Sequence, residues 1–155
     1  MAGRYWLMKV EPTAYTIADL ERDGVTGWEG VRNYKARNYL RDEIGPGDGV
    51  LFYQSNADPS GVAGLAEVVK GGYPDPTQFE KGHHYHDPQS ARDAPRWYTV
   101  DVRFVERFRD VVSLAAIKEN PKLRGMMVTR RGMRLSVQPV DTPHFDEVVR
   151  MARAT

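Results

Sequence analysis

Two strand-forming runs, 50–54 and 62–69, follow one another with no helix between them. The stretch joining them, 55–60, is polar and contains Asp58-Pro59, so the pair reads as a hairpin with a moderately long loop. A hairpin in mid-chain disfavours a doubly wound parallel sheet, in which a crossover helix follows each strand. Gly45-Pro46-Gly47-Asp48-Gly49 is the turn that feeds it. A further strand is expected at 4–10, stopped by Pro12, and another at 97–108. In the latter Val100, Val102 and Phe104 share one side with Glu106, opposite Asp101, Arg103 and Val105. A last strand is expected at 135–140.

Four helices fit around these strands. Thr16, with Asp19 three residues on, caps a short helix at 17–22 that Gly24 ends; Asn33 caps a second that runs to about Arg41. Ser113 caps a third, stopped by Pro121. The fourth follows Thr142-Pro143 and turns Phe145, Val148, Val149 and Ala152 inward. The segment 71–95 is rich in Gly, Pro, Asp and His and reads as an irregular excursion, longer than an ordinary connection. The order implies an α+β protein: a mixed or antiparallel sheet curled into a small barrel, with helices outside.

The 155 residues fit one domain, 1–155, large enough to hold a core without disulfide or metal. There is no cysteine, which excludes thiol catalysis and thiolate zinc sites and points to a reducing compartment, cytoplasmic by expectation. No apolar run approaches the roughly 20 residues of a membrane span. The formal charge is +1, so any nucleic-acid contact must come from a local patch rather than from overall attraction.

Enzyme motifs are sparse. No Gly-x-Ser-x-Gly elbow and no Gly-rich phosphate loop is present. His83-His84-Tyr85-His86-Asp87 is the one metal-like cluster, but in a Pro/Gly-rich loop a solvated stretch is the simpler reading. No catalytic residue, metal or cofactor is assigned. An enzyme acting on a nucleotide through Glu11 or the 83–86 loop stands as the alternative, and a ligand-free protein-interaction module as a third.

The dense region is 27–41, with Trp28, Arg32, Asn33, Tyr34, Lys35, Arg37, Tyr39 and Arg41. Aromatic faces stack bases, Arg and Lys neutralise phosphates, and Asn suits a base edge. For the helix tyrosines the plainer reading is favoured: half-buried residues, with the charges a wet face. Trp28 lies between Gly27 and Gly30, off any apolar stripe, and is either a plug on the core or one wall of a pocket. Lys9 and Glu11 end an otherwise apolar strand; Ser55 and Asn56 end another, and all four could meet at a barrel mouth.

With those residues in view, the chain resembles EVE domains of the thymocyte nuclear protein type, in the PUA-like group. The resemblance rests on 5–12 (Tyr-Trp-Leu-Met-Lys-Val-Glu-Pro), 28–34 (Trp-Glu-Gly-Val-Arg-Asn-Tyr) and 47–56 (Gly-Asp-Gly-Val-Leu-Phe-Tyr-Gln-Ser-Asn). Further pieces at 64–68, 73–79, 95–97 and 134–140 carry it through nearly the whole chain. It implies a PUA-like barrel, related to the YTH domains that read methylated adenine in RNA. It also implies a non-enzymatic, monomeric reader of a modified base, modified cytosine in DNA ahead of RNA. Carried over, Trp28 is the cage tryptophan, with Lys9 and Glu11 beside it. Glu29, Gly30, Val31, Arg32, Asn33, Tyr53, Ser55 and Asn56 complete the pocket and rim, and Tyr85 and Trp97 are further walls. The family pattern places serine after Lys9; this chain has Val10, which removes a hydroxyl.

Overall fold

A computed structural model describes residues 3–154. Six strands and four helices alternate irregularly: β1 (Tyr5–Val10), α1 (Ile17–Asp23), β2 (Val25–Gly27), α2 (Tyr34–Asp42), β3 (Gly49–Gln54), β4 (Gly61–Pro74), β5 (Tyr98–Ser113), α3 (Leu114–Glu119), β6 (Val137–Val140) and α4 (Thr142–Arg153). Short 3-10 turns stand at Pro76–Phe79, Pro121–Leu123 and Met127–Thr129. The strands form one mixed sheet in the order β2-β5-β4-β3-β1-β6. β1 and β3 run parallel, and every other neighbouring pair is antiparallel. This is the α+β class expected from the sequence.

Local chemistry explains most of the elements. Thr16 and Asp19 close a capping box: the Thr16 hydroxyl accepts from the Asp19 N–H at 3.0 Å, and the Asp19 carboxylate accepts from the Thr16 N–H at 2.9 Å. Asn33 accepts from the Ala36 N–H at 3.0 Å and so starts α2, and Ser113 does the same for α3 through Ala116. Asp48, buried in the turn ahead of β3, accepts from the backbone of Arg4 and Gly45 and from the Trp6 indole N–H at 2.9 Å. One carboxylate thereby ties that turn to β1.

β1 and β3 are buried on both faces, with the period of two that strands impose. Trp6, Met8, Val50 and Phe52 point into one core with α1, α2 and the turn at Trp28 and Val31. Leu7, Leu51 and Tyr53 point into the other, beneath Ile117 of α3 and Val148 and Ala152 of α4. Phe145 and Val149 pack against that second core from α4. Each large apolar side chain so buried is worth about 1.5–3 kcal/mol.

The structure corrects several expected boundaries. β2 lies where only a turn is expected: three residues are too few to show alternation. β4 runs on to Pro74, so the irregular excursion begins later, and β5 runs on to Ser113. Gly71 and Gly72 hide the tail of β4 from a pattern search. A Cβ at Gly72 would lie 2.4 Å from the Leu40 carbonyl, so close approach to α2 demands glycine there. Leu135 and Ser136 lie outside β6, which starts at Val137. Register shifts along β4 against both neighbours bend the sheet.

Candidate functional site

The curl has a visible result. Thr26 and Gly27 of β2, at one edge of the ladder, line the same cleft as Ser136, next to β6 at the other edge. The two edges face each other across an open cleft of about 920 Å³. That is the upper part of the range for small-molecule sites, roughly 300–1,000 Å³.

Parallel pairing builds its floor. Val10 lies in register with Gln54, and the Ser55 N–H continues the ladder by donating to the Val10 carbonyl at 2.9 Å. Both chains therefore leave the sheet at the same end, and the Asn56 amide donates to Glu11 Oε1 at 2.8 Å. Asn56 has φ +50°, which asparagine tolerates better than most residues. Lys9 sits half-buried between them. Its Nζ donates to the Met133 carbonyl at 3.3 Å and lies 5.5 Å from the centre of the Tyr53 ring. Burial holds the Lys9 ammonium below its ordinary pKa.

Trp28 closes one wall. Its backbone N–H donates to Val100, and its ring meets Phe52 edge-on at 5.6 Å. The residue is only 7% exposed, so it is plug and wall together. The indole Nε1 donates to no group among the described residues, and none of their buried side-chain nitrogens or oxygens is left without a partner. That N–H is therefore not fully sealed from solvent, and Trp28 belongs to the cleft lining.

The rest of the 28–32 turn is fixed by one buried acid. Asp75, fully buried, accepts from the Gly30 N–H at 2.8 Å, the Thr77 N–H at 2.8 Å and hydroxyl at 2.6 Å, and Arg32 Nη1 at 3.1 Å. Burial works to raise this carboxyl, but those hydrogen bonds outweigh it and hold it below the usual aspartate range. Arg32 also donates to its neighbour Val31, to the Thr77 hydroxyl and to the Tyr85 carbonyl at 2.7 Å. Gly30, at φ +89°, lies under the Tyr85 ring, where a Cβ would come within 2.4 Å. On the rim, Glu29 is pushed above the usual glutamate range by partial desolvation and by the nearby Asp75 and Glu80.

Ten of the residues singled out from the sequence thus converge on the cleft: Lys9, Glu11, Trp28, Glu29, Gly30, Val31, Arg32, Ser55, Asn56 and Tyr85. Three stand apart. Asn33 caps α2. Tyr53 belongs to the second core and supports Lys9 from behind, its phenol pKa raised by burial. Trp97 lines a smaller hollow of about 240 Å³ with Arg32, His86 and Asp87. It donates its indole N–H to Asp87 at 2.6 Å and stacks on Tyr34 at 4.9 Å. His83 lines the main cleft, His86 the hollow and His84 both, and among the described residues no three His, Asp or Glu side chains are placed to hold a metal ion.

The basic face expected on α2 is largely engaged: Arg37 donates to the Arg96 carbonyl, and Arg41 pairs with Asp42. The cleft instead takes Met133, Arg134 and Ser136 for its wall, residues to which the sequence reading gave no site role. The available signal was three arginines in five positions, Arg130-Arg131-Gly132-Met133-Arg134, ahead of the last strand.

Comparison with known proteins gives a consistent result. A family model described as "EVE domain" matches residues 4–151. Human thymocyte nuclear protein 1 is 40% identical over 164 residues, covering 94% of this chain and 72% of the human one. A hypothetical protein from Leishmania major superposes with a TM-score of 0.93 at 41% identity, over 98% of this chain and 96% of that one. Human THYN1 protein, whose structure was solved in complex with DNA containing 5-methylcytosine, superposes with a TM-score of 0.90 at 38% identity, over 97% and 98% of the two chains.

Proposed function

The chain belongs to the EVE domain family, and on that premise we propose that its cleft receives a modified cytosine base presented by DNA. The observation that carries this is Trp28 in the cleft lining: a ring held edge-on by Phe52, with an N–H that has no partner among the described residues and is not sealed from solvent. The complex of the human relative with 5-methylcytosine-containing DNA supports the choice of ligand and of DNA over RNA.

The lining suits a cytosine edge. The Trp28 N–H and the Lys9 ammonium are donors for the acceptor atoms of the ring, while Glu11 and Glu29 are acceptors for its exocyclic amine. Taking a base from a duplex costs a few kcal/mol, which aromatic contact at roughly 1–3 kcal/mol per base offsets in large part. Val10 and Val31 add apolar lining. A methyl mark against such a wall gains about 0.8 kcal/mol, or about fourfold in affinity. Val10 thus supplies shape where the family pattern supplies a hydroxyl.

Fluorescence anisotropy with duplexes carrying cytosine, 5-methylcytosine or 5-hydroxymethylcytosine at one site tests the proposal. The wild type is expected to prefer a modified duplex by about fourfold or more. Trp28→Phe keeps a ring against Phe52 but removes the N–H, and should weaken binding to that duplex by roughly threefold to tenfold. Equal, weak binding of all three duplexes by the wild type would sink it.

A further inference from the structure

We propose that Arg130, Arg131 and Arg134 form a phosphate grip at the mouth of the cleft, which holds the DNA backbone on either side of the base. This rests on the base-binding reading above and assigns the backbone contacts that it leaves open.

These three side chains are exposed and meet no carboxylate among the described residues. Elsewhere the chain commonly matches arginine with acid: Arg4 with Glu43, Arg41 with Asp42, Arg103 with Glu67, Arg150 with Glu147, Arg153 with Glu106. Three neighbouring cations without a counter-charge repel one another, and a phosphate chain removes that repulsion while giving up its own counterions. Arginine's fork of donors suits phosphate oxygens.

The backbone that bears them is firmly placed. Met126 and Val128 are buried in the second core just ahead of the segment. Met133 N–H donates to the Arg130 carbonyl, closing a turn at Gly132, which has φ +72°. Beyond it, buried Gln138 donates to the Leu135 carbonyl at 2.8 Å. Lys9 ties the segment to the cleft floor twice, through Nζ to Met133 and through its backbone N–H to Ser136 at 2.8 Å. The guanidinium groups are therefore exposed ends on a fixed base, beside Lys9 of the cleft lining. A base that leaves its stack carries its own phosphates to the cleft mouth, where Arg134 already lines the wall. With a formal charge of only +1, attraction to DNA must be local, and this is where unmatched charge adjoins the cleft.

The test is a salt titration of binding to methylated and unmethylated duplexes. It uses the wild type, the triple variant Arg130→Ala/Arg131→Ala/Arg134→Ala, and a control, Arg41→Ala/Arg107→Ala/Arg153→Ala, which removes the same charge from acid-paired sites. The slope of log affinity against log salt should fall by about 2–3 in the first variant, near 0.9 for each lost phosphate contact. Both duplexes should weaken by the same factor, so the preference for methylation stays. The control should keep the wild-type slope. An unchanged slope in the first variant, or an equal fall in both, overturns the grip even where the wild type discriminates methylation. A wild type that binds both duplexes equally, with an arginine-dependent slope, overturns the base reading and leaves the grip standing.

Discussion

Two loops line the same cleft and use arginine in opposite ways. In the 28–32 turn, Arg32 donates to Asp75, Thr77 and the carbonyls of Val31 and Tyr85, and its guanidinium rests near the rings of Tyr85 and Trp97. In the 130–134 segment, three guanidinium groups meet no acid among the described residues. The saturated arginine shapes the wall by holding the Tyr85 carbonyl and the Asp75 carboxylate that fixes Gly30. The unsaturated ones remain available to a partner from outside. Residue type alone does not separate these roles; the difference lies in whether a buried acid stands opposite.

The hardest test of the contrast is Asp75→Ala. It strands Arg32 and leaves the N–H groups of Gly30 and Thr77 without their acceptor, so chemical denaturation should show a loss of about 3–5 kcal/mol. A loss below about 1 kcal/mol would put Arg32 in the same class as the free arginines. The same acid sets a pH limit. Because the folded protein holds the Asp75 carboxyl below its ordinary pKa, its contribution is complete at neutral pH. It is lost as pH falls below about 3.9 toward the folded value. Asp75→Asn should flatten that acid limb in a melting series.

Gly30→Ala comes next. Strain at φ +89° and collision with the Tyr85 ring should together cost about 1–3 kcal/mol, and the displaced ring should reshape the cleft. A variant with wild-type stability and wild-type DNA affinity would mean that this wall is not held as described. The smallest effect is expected at Asn33→Ala, about 1 kcal/mol from the lost helix cap. Anisotropy with DNA should be unaltered at temperatures where the variant is folded, since Asn33 is engaged within its own helix. A selective loss of binding would return Asn33 to the rim.

The features legible in the sequence are the local ones. Thr16 with Asp19, Asn33, Ser113 and the Gly-Pro-Gly-Asp-Gly turn act over three or four residues, and each sits where its chemistry predicts. The strand ends at Lys9–Glu11 and Ser55–Asn56 were legible as partners because a mouth needs polar groups where apolar strands stop. What escaped is long-range. Arg32 looks like a phosphate ligand until Asp75, 43 residues on, is seen beneath it. Trp97 looks like a cage wall until Tyr34 and Asp87 enclose it. The arginines at 130–134 look like ordinary surface until Lys9 draws their segment to the floor.

Because β1 and β3 travel side by side in one direction, the floor joins residues 45 positions apart, and Ser136, on the wall, is the last of the cleft residues in chain order. A nascent chain can form its helix caps early, but its pocket lacks a wall until Ser136 has followed Lys9 by more than a hundred residues. Recognition therefore waits on contacts that are distant along the chain. Fragments that stop before the final strand would lack this binding surface, and circular permutation would alter the order in which its walls are assembled while leaving the finished cavity the same.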